Sequence, residues 1–298
     1  MTQPPGRPDI LCIGSFLWDV IGRTGLPVPP GADLPGRIAR QPGGVALNIA
    51  AALARAGMRP AVLSAVGGDE AGAALVAAAA RLGIDCRFLH RMPHRSTDSY
   101  VAIEGPEGLV AAIADAGTLE DAGAAILAPL ADVGLTGGGG AWTGPAVLDG
   151  NLTEALLADI ARLPRLAAAD LRVVPASPGK AGRLAPLLGA PHATLYLNRA
   201  EAAILAGTAC PDAPSAAEAL LGRGARRVIV TDGPHPAADG LAGGGIVTAR
   251  PPAVAVRRVT GAGDAFMAGH LVADRAGAGR AGALAAGLAA AAAHIAEA

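Results

Sequence analysis

The sequence has no run of lysine or arginine, and its charges nearly cancel: 24 basic against 25 acidic residues, a formal net charge of −1. Surfaces that hold nucleic acids or anionic membranes rely on concentrated positive charge, so neither partner is expected. Cysteine is scarce as well. Cys12, Cys86 and Cys210 are odd in number and far apart, with no CxxC or Cys/His spacing. That excludes a thiolate metal site and fits a reduced, cytoplasmic protein. Residues Met1 to Asp9 lack a basic stretch followed by an apolar one, so no secretory signal is expected. The longest apolar candidate, Ala281 to Ala296, is broken by Gly282, Gly287 and His294 and is mostly alanine, which suits a soluble helix better than a membrane span. No internal repeat of fixed period appears. What remains is a small-molecule partner.

What is present is a set of glycine turns at the ends of short apolar runs. The chain is organised around Val259-Thr260-Gly261-Ala262-Gly263-Asp264-Ala265-Phe266, where small residues turn directly into a run of helix formers. Orphan N–H groups of a helix start should point there at open space and welcome an anion. Asp264 stands at the mouth of the same turn. A carboxylate beside an anion hole makes sense if it takes a proton from a hydroxyl that attacks a phosphoryl group. By itself the pattern reads equally well as a glycine turn with Asp264 capping a core helix.

Elsewhere the chain alternates strand, turn and helix. Ile10 to Ile13 is a short buried strand ending in Gly14, and Ser15 to Ile21 continues as an alternating one, with Phe16 and Trp18 on one face and Leu17 and Asp19 on the other. Pro and Gly between residues 27 and 42 allow only loops and short edge strands. Gly43-Gly44 opens a helix through Gly57, with Asn48 in its first turn. A strand over Ala61 to Ala65, a helix over Ala73 to Leu82 and a third short strand over Cys86 to His90 follow. Asp98 to Ile103 and Leu109 to Ile113 flank a Gly/Pro turn and read as a hairpin, which with residues 16–42 would make a small sheet over the site. The pattern then gives a helix over Asp121 to Ala131, a loop at Gly137 to Gly140, a strand over Ala146 to Leu148, and Asp149 and Asn151 at its end. Further on come a helix to about Leu188, strands at Thr194 to Leu197 and Arg227 to Thr231, and a terminal hairpin of Ile246 to Thr248 with Ala253 to Val256. Helices from Ala265 and over Ala281 to Ala296 close the chain. Asn198 and Glu201, three apart, suit water-mediated contacts with Mg²⁺ or equally a capping box. Gly14 opens no GxGxxG helix, so a dinucleotide fold is not favoured.

The order and wording of these pieces resemble the PfkB, or ribokinase-like, family of carbohydrate and nucleoside kinases. Gly43-Gly44-Val45-Ala46-Leu47-Asn48-Ile49-Ala50 is similar to the family's N-terminal signature, and Val259 to Phe266 to its C-terminal one. The resemblance implies one α/β unit over residues 1–298: a doubly wound, mostly parallel sheet between helices, with a small β-sheet lid formed by about 16–42 and 96–114. It implies an ATP-dependent kinase in which Asp264 is the base and Gly261, Ala262 and Gly263 hold the transferring phosphoryl group. Asp19, Gly43, Gly44 and Asn48 would bind the acceptor's hydroxyls. Asn198 and Glu201 would organise Mg²⁺ and phosphate, Glu201 through water, and Thr231 and Gly233 would begin the nucleotide-binding turn. The turn departs from the family's pattern at Pro236, and Arg258 replaces the acid that potassium-dependent members carry, which leaves a monovalent cation open. Softer cues, among them Leu34 to Ile38 and Ser96 to Tyr100, resemble the family's pseudouridine kinases and imply the 5′-hydroxyl of pseudouridine as acceptor. A ribose or hexose-derivative kinase is the alternative, and a non-catalytic nucleotide- or sugar-binding protein a rival of another class. Phe16, Trp18 and Tyr100, three of only seven aromatics, lie where one could cover a base, or simply fill the small sheet's core. An apolar lid face would suit a homodimer.

Overall fold

The computed structural model describes residues 6–137, 140–257 and 260–296. Arg258, Val259, Gly138, Gly139 and the first five residues, all used in the sequence reading, lie outside them.

Strands β1 (Ile10–Ile13), β2 (Leu17–Arg23) and β3 (Arg37–Gly43) lead into α1 (Val45–Arg55). Strands β4 (Pro60–Leu63) and β5 (Ala65–Gly67) precede α2 (Glu70–Arg81), and β6 (His90–Met92) precedes the hairpin of β7 (Ser99–Gly105) and β8 (Gly108–Asp115). Helices α3 (Gly117–Ala122) and α4 (Val133–Thr136) flank a 3₁₀ segment, Gly123–Ala131. Next come β9 (Pro145–Asp149), α5 (Glu154–Ala161), β10 (Asp170–Val174), a 3₁₀ segment over Pro178–Leu187, β11 (Ala193–Asn198), α6 (Arg199–Ala206) and α7 (Ala213–Gly222). The order ends with β12 (Arg227–Asp232), β13 (His235–Leu241), β14 (Gly245–Ala249), α8 (Ala262–Arg275) and α9 (Gly279–Ala296).

Eight strands form the central sheet in the order β14-β13-β12-β11-β10-β9-β1-β4. Every pair from β12 to β4 is parallel, and only β13 and β14 run antiparallel at one edge. Alternation sorts β1 between two cores: Leu11 and Ile13 join the cluster under α5, α6 and α7, while Ile10 and Cys12 join that of α1, α2, α8 and α9. Apolar burial on both faces is why these strands read as unbroken hydrophobic runs. A separate four-stranded sheet, β3-β2-β7-β8, continues from the C-terminal end of β1.

Several local expectations are corrected. The strand placed at Cys86 to His90 is His90–Met92, paired with β5, and burial pushes the Cys86 thiol up to about 12. The helix placed at Asp121 to Ala131 is α-helical only to Ala122; Pro129 lacks the N–H an α-turn needs, and Pro186 has the same effect in the segment placed as a helix to Leu188. Ile246 to Thr248 pairs with β13 and not with Ala253 to Val256, which follow Pro251 and Pro252 and form no strand. Asp69 caps α2 by accepting from Gly72 N at 2.8 Å, so that helix starts three residues earlier than placed. The sequence reading also lacks β10, β13 and α7: Arg172 breaks the apolar run of the first, the second is a stretch of small and polar residues after Pro236, and small residues give the third a faint stripe.

Candidate active site

The C-terminal ends of β1, β9, β10, β11 and β12 meet the N-termini of α1 and α8 around a cavity of about 450 Å³, roofed on one side by the small sheet. This is where open α/β sheets hold ligands. Of the residues singled out in the sequence, Asp19, Gly44, Asn48, Asn198, Glu201, Thr231, Gly261, Gly263 and Asp264 line it. Gly43 stands just behind, Ala262 is the first residue of α8, and Gly233 is exposed in the β12–β13 turn.

Helix α8 begins earlier than placed, at Ala262, because Gly261 adopts φ 86° as its N-cap, a conformation that costs a side-chain-bearing residue strain. The first bond of the helix runs from Ala265 N to Gly261 O at 3.0 Å, so the N–H groups of Ala262, Gly263 and Asp264 are the orphan donors of its first turn. From the other side α9 holds this turn: His294 Nε2 lies 2.8 Å from Thr260 O, and Arg257 N donates to Ile295 O at 3.0 Å. Asp264 is therefore a carboxyl at a positive helix end. Burial nevertheless pushes it up to about 7, with the negative charges of Asp149 and Asp19 adding to the shift and a hydrogen bond from Asn48 opposing it.

Asp19, which lines the same cavity, extends from β2 over Gly43, where a Cβ would stand 2.1 Å from the Asp19 Cγ. Burial raises Asp19 to about 6. Gly44, at φ 94°, caps α1 and passes so close to Ser15 O that a side chain there would meet it at 2.6 Å. Of the three aromatics proposed to cover a base, Tyr100 alone lines the cavity, opposite Asp19 in the β2–β7 register. Phe16 and Trp18 belong to the core; the Trp18 indole donates to Ala71 O at 2.9 Å and Arg40 lies over its ring at 4.0 Å.

Thr153, not Asp149, caps α5, and Asp149 is the last residue of β9. It is fully buried and accepts from Ser15 N, Ser15 Oγ and Ala46 N at 2.8, 2.7 and 3.0 Å, and from Asn151 N at 2.9 Å. One carboxylate thus ties the ends of β1 and β9 to the start of α1. Asn151 passes the network outward, donating to Ser15 Oγ at 2.9 Å and accepting from Lys180 Nζ. Lys180 and Ser15 went unnoticed in the sequence, yet both line the cavity. A signal for Lys180 existed: it is the one lysine among 24 basic residues.

Asn198 and Glu201 form the reciprocal capping box of α6, with bonds of 2.9 and 2.8 Å, and burial raises the Glu201 carboxyl. Thr231, next to last in β12, pairs with Asn198 in the sheet, and Pro236 falls where the β12–β13 register shifts, so its missing N–H costs the ladder little. Among the described residues no group of three or more His, Cys, Asp or Glu could cage a metal, and no helix is long and apolar enough to cross a membrane.

Comparison with known proteins places this geometry among relatives. Residues 7–298 match the profile of the pfkB family carbohydrate kinases. The chain is 31% identical to a pseudouridine kinase of Escherichia coli K12, over 87% of this chain and 82% of that protein. A carbohydrate kinase from Agrobacterium tumefaciens superposes with a TM-score of 0.76 at 29% identity, covering 95% of this chain and 89% of the other. The Arabidopsis thaliana ribokinase complexed with ribose and ATP superposes equally well, TM-score 0.76, at 19% identity over 97% and 93% of the two chains, a likeness of fold.

Proposed function

Because the chain belongs to the pfkB family of carbohydrate kinases, phosphotransferases that act on hydroxyl groups, we propose that it transfers the γ-phosphate of ATP to the 5′-hydroxyl of a nucleoside, pseudouridine first among them. The observation that carries the reading is the position of Asp264, a carboxyl raised to about 7 in a cavity that also holds the orphan donors of α8 and a second carboxyl, Asp19.

In this reading Asp264 takes the proton of the acceptor hydroxyl as its oxygen attacks the γ-phosphorus, and the bond to the β-phosphate oxygen breaks with its electron pair leaving on ADP. The N–H groups of Ala262, Gly263 and Asp264 face the charge that grows on the transferring group. Asp19, Asn48 and the backbone at Gly43 and Gly44 hold the acceptor, and Tyr100 lies beside the base. Thr231 and the turn at Gly233 border the nucleotide. A hydrated Mg²⁺ fits the donor set of one carboxylate, Glu201, and one amide, Asn198, since such ions keep most of their water and take the rest of their ligands from phosphates; it would neutralise charge on the nucleotide. The small sheet over the cavity serves as the lid. Its outer residues Ile38, Val101, Ile103 and Ile113 are exposed by 80, 45, 46 and 74%, an apolar face suited to a second copy of this chain. The protein works in the cytoplasm.

The test is ADP formation from ATP and Mg²⁺ against pseudouridine, uridine, cytidine, adenosine, ribose and fructose, with Asp264→Asn as blank. Preferential turnover of pseudouridine is expected. Turnover of ribose or fructose alone would replace the nucleoside by a sugar and leave the kinase in place.

A further inference from the structure

We propose that Lys180 touches the phosphoryl group during transfer and neutralises it, and that a buried relay from Asp149 through Ser15 and Asn151 sets its position. The inference rests on the reading of the cavity given above.

Twenty-three of the 24 basic residues are arginine, and the single lysine is at 180. The two are not equivalent: guanidinium is a planar fork matched to paired acceptors, whereas an ammonium is a compact point charge on a flexible stem. A chain that uses the fork everywhere else keeps the point charge in its cavity. The balance of charge there points the same way. Among the described lining residues Lys180 is the sole cation, facing the carboxyls of Asp19, Glu201 and Asp264. A triphosphate entering that wall needs a positive partner besides its metal, and none of the ion pairs among the described residues engages Lys180.

Its place in the fold fixes which part of the substrate it meets. Lys180 follows the C-terminal end of β10, and β10 lies between β9 and β1, which carry the acceptor side, and β11, which ends in Asn198 and leads into α6 with Glu201. The group passing from nucleotide to acceptor crosses there.

The relay determines the orientation of each member. The Asp149 carboxylate only accepts, so the Ser15 hydroxyl must donate to it, at 2.7 Å. Ser15 Oγ is left with acceptor sites, filled by Val45 N at 2.8 Å and Asn151 Nδ2 at 2.9 Å. With its NH₂ committed, the Asn151 amide turns its oxygen to Lys180 Nζ. The backbone approaching the lysine is equally constrained. Ala176, in the cavity wall, is the one described non-glycine residue with positive φ, 69°, and Pro175 O presses on Gly150 so closely that a Cβ there would meet it at 2.2 Å. Strain of this kind persists where surrounding structure over-determines it.

A lone lysine makes the test direct. Acylation of the wild-type protein with an amine reagent, followed at the Lys180 peptide by mass spectrometry, is expected to slow with AMP-PNP and Mg²⁺, to slow less with ADP, and to be unaffected by acceptor alone. With whichever acceptor the wild type turns over, Lys180→Met is expected to lower kcat by about 10²–10³-fold while acceptor KM stays within about threefold, and Lys180→Arg to recover part of the loss. Asn151→Ala, acting through the lysine, is expected to cost about tenfold in kcat and to speed labelling of Lys180. Protection by acceptor but not by AMP-PNP, or a raised acceptor KM with intact kcat, would overturn the proposal. An active Asp264→Asn enzyme would instead sink the reading of the cavity itself, and an inactive Asp264→Asn beside a fully active Lys180→Met would sink only the role of the lysine.

Discussion

The side-chain amide of Asn48 hydrogen-bonds to the carboxyl of Asp264, joining the first turn of α1 to the first turn of α8. The bond favours the ionised acid while burial and two neighbouring carboxylates disfavour it, and the net position is about 7. As the proposed base, Asp264 must be unprotonated, so kcat/KM should fall as pH drops below about 7. Removing the opposing bond with Asn48→Leu should move that limb to higher pH, and Asp264→Asn should cost about 10²–10⁴-fold in kcat/KM above pH 7 and abolish the limb, the gap to wild type narrowing at lower pH. Initial rates across pH 5 to 9 check all three outcomes.

Asp19 and Gly43 give a second prediction. A methyl group at 43 cannot coexist with the Asp19 carboxyl, which would swing away from the acceptor. Gly43→Ala should raise acceptor KM by about 10–100-fold, with a smaller effect on KM for ATP. Equal losses for both substrates would show that Asp19 does not face the acceptor.

The raised Asp264 also affects stability. Its folded-state pKa of about 7 lies above the ordinary 3.8, so its contribution is present below pH 4 and lost as pH rises through 7. Asp264→Asn removes that loss. Urea midpoints should show the variant more stable than wild type by on the order of 1 kcal/mol at pH 8, with the difference vanishing near pH 4.

Glu201 caps α6 and lines the cavity, and glutamine separates the two roles. The amide oxygen of Glu201→Gln can still accept from Asn198 N, so stability should change by less than about 0.5 kcal/mol. The lost charge should raise the Mg²⁺ concentration for half-maximal rate several-fold. Magnesium titrations at fixed ATP read the difference.

Asp149 receives four donors in a fully buried site. Asp149→Ala strands them, and a loss of about 3–5 kcal/mol in the free energy of unfolding is expected. Chemical denaturation of the isolated protein checks it.

The alternation of strand and helix was legible because parallel strands bury both faces and leave continuous apolar runs such as Ile10 to Ile13. It failed at Asp170–Val174, where Arg172 sits inside the strand, held by Asp170, Asp274 and the Tyr196 hydroxyl, partners distant in sequence or invisible to periodicity. The glycine turns and Asp264 were found because a local pattern encodes a local conformation. Lys180 was not, because its surroundings come from Asn151, Ser15 and Asp149, which the ends of β1 and β9 bring to the 3₁₀ segment after β10. For Phe16 and Trp18 the sequence supports two readings, base cover or core, because alternation separates two faces but does not say which one meets the core; the structure gives the core.

The turn that carries Asp264 is fastened by Ile295 and His294. On a ribosome, every described strand and Asp264 itself emerge before these fastenings do. The turn is therefore tied down only when the last turns of α9 clear the exit tunnel, which makes the end of synthesis and the completion of the cavity wall one event.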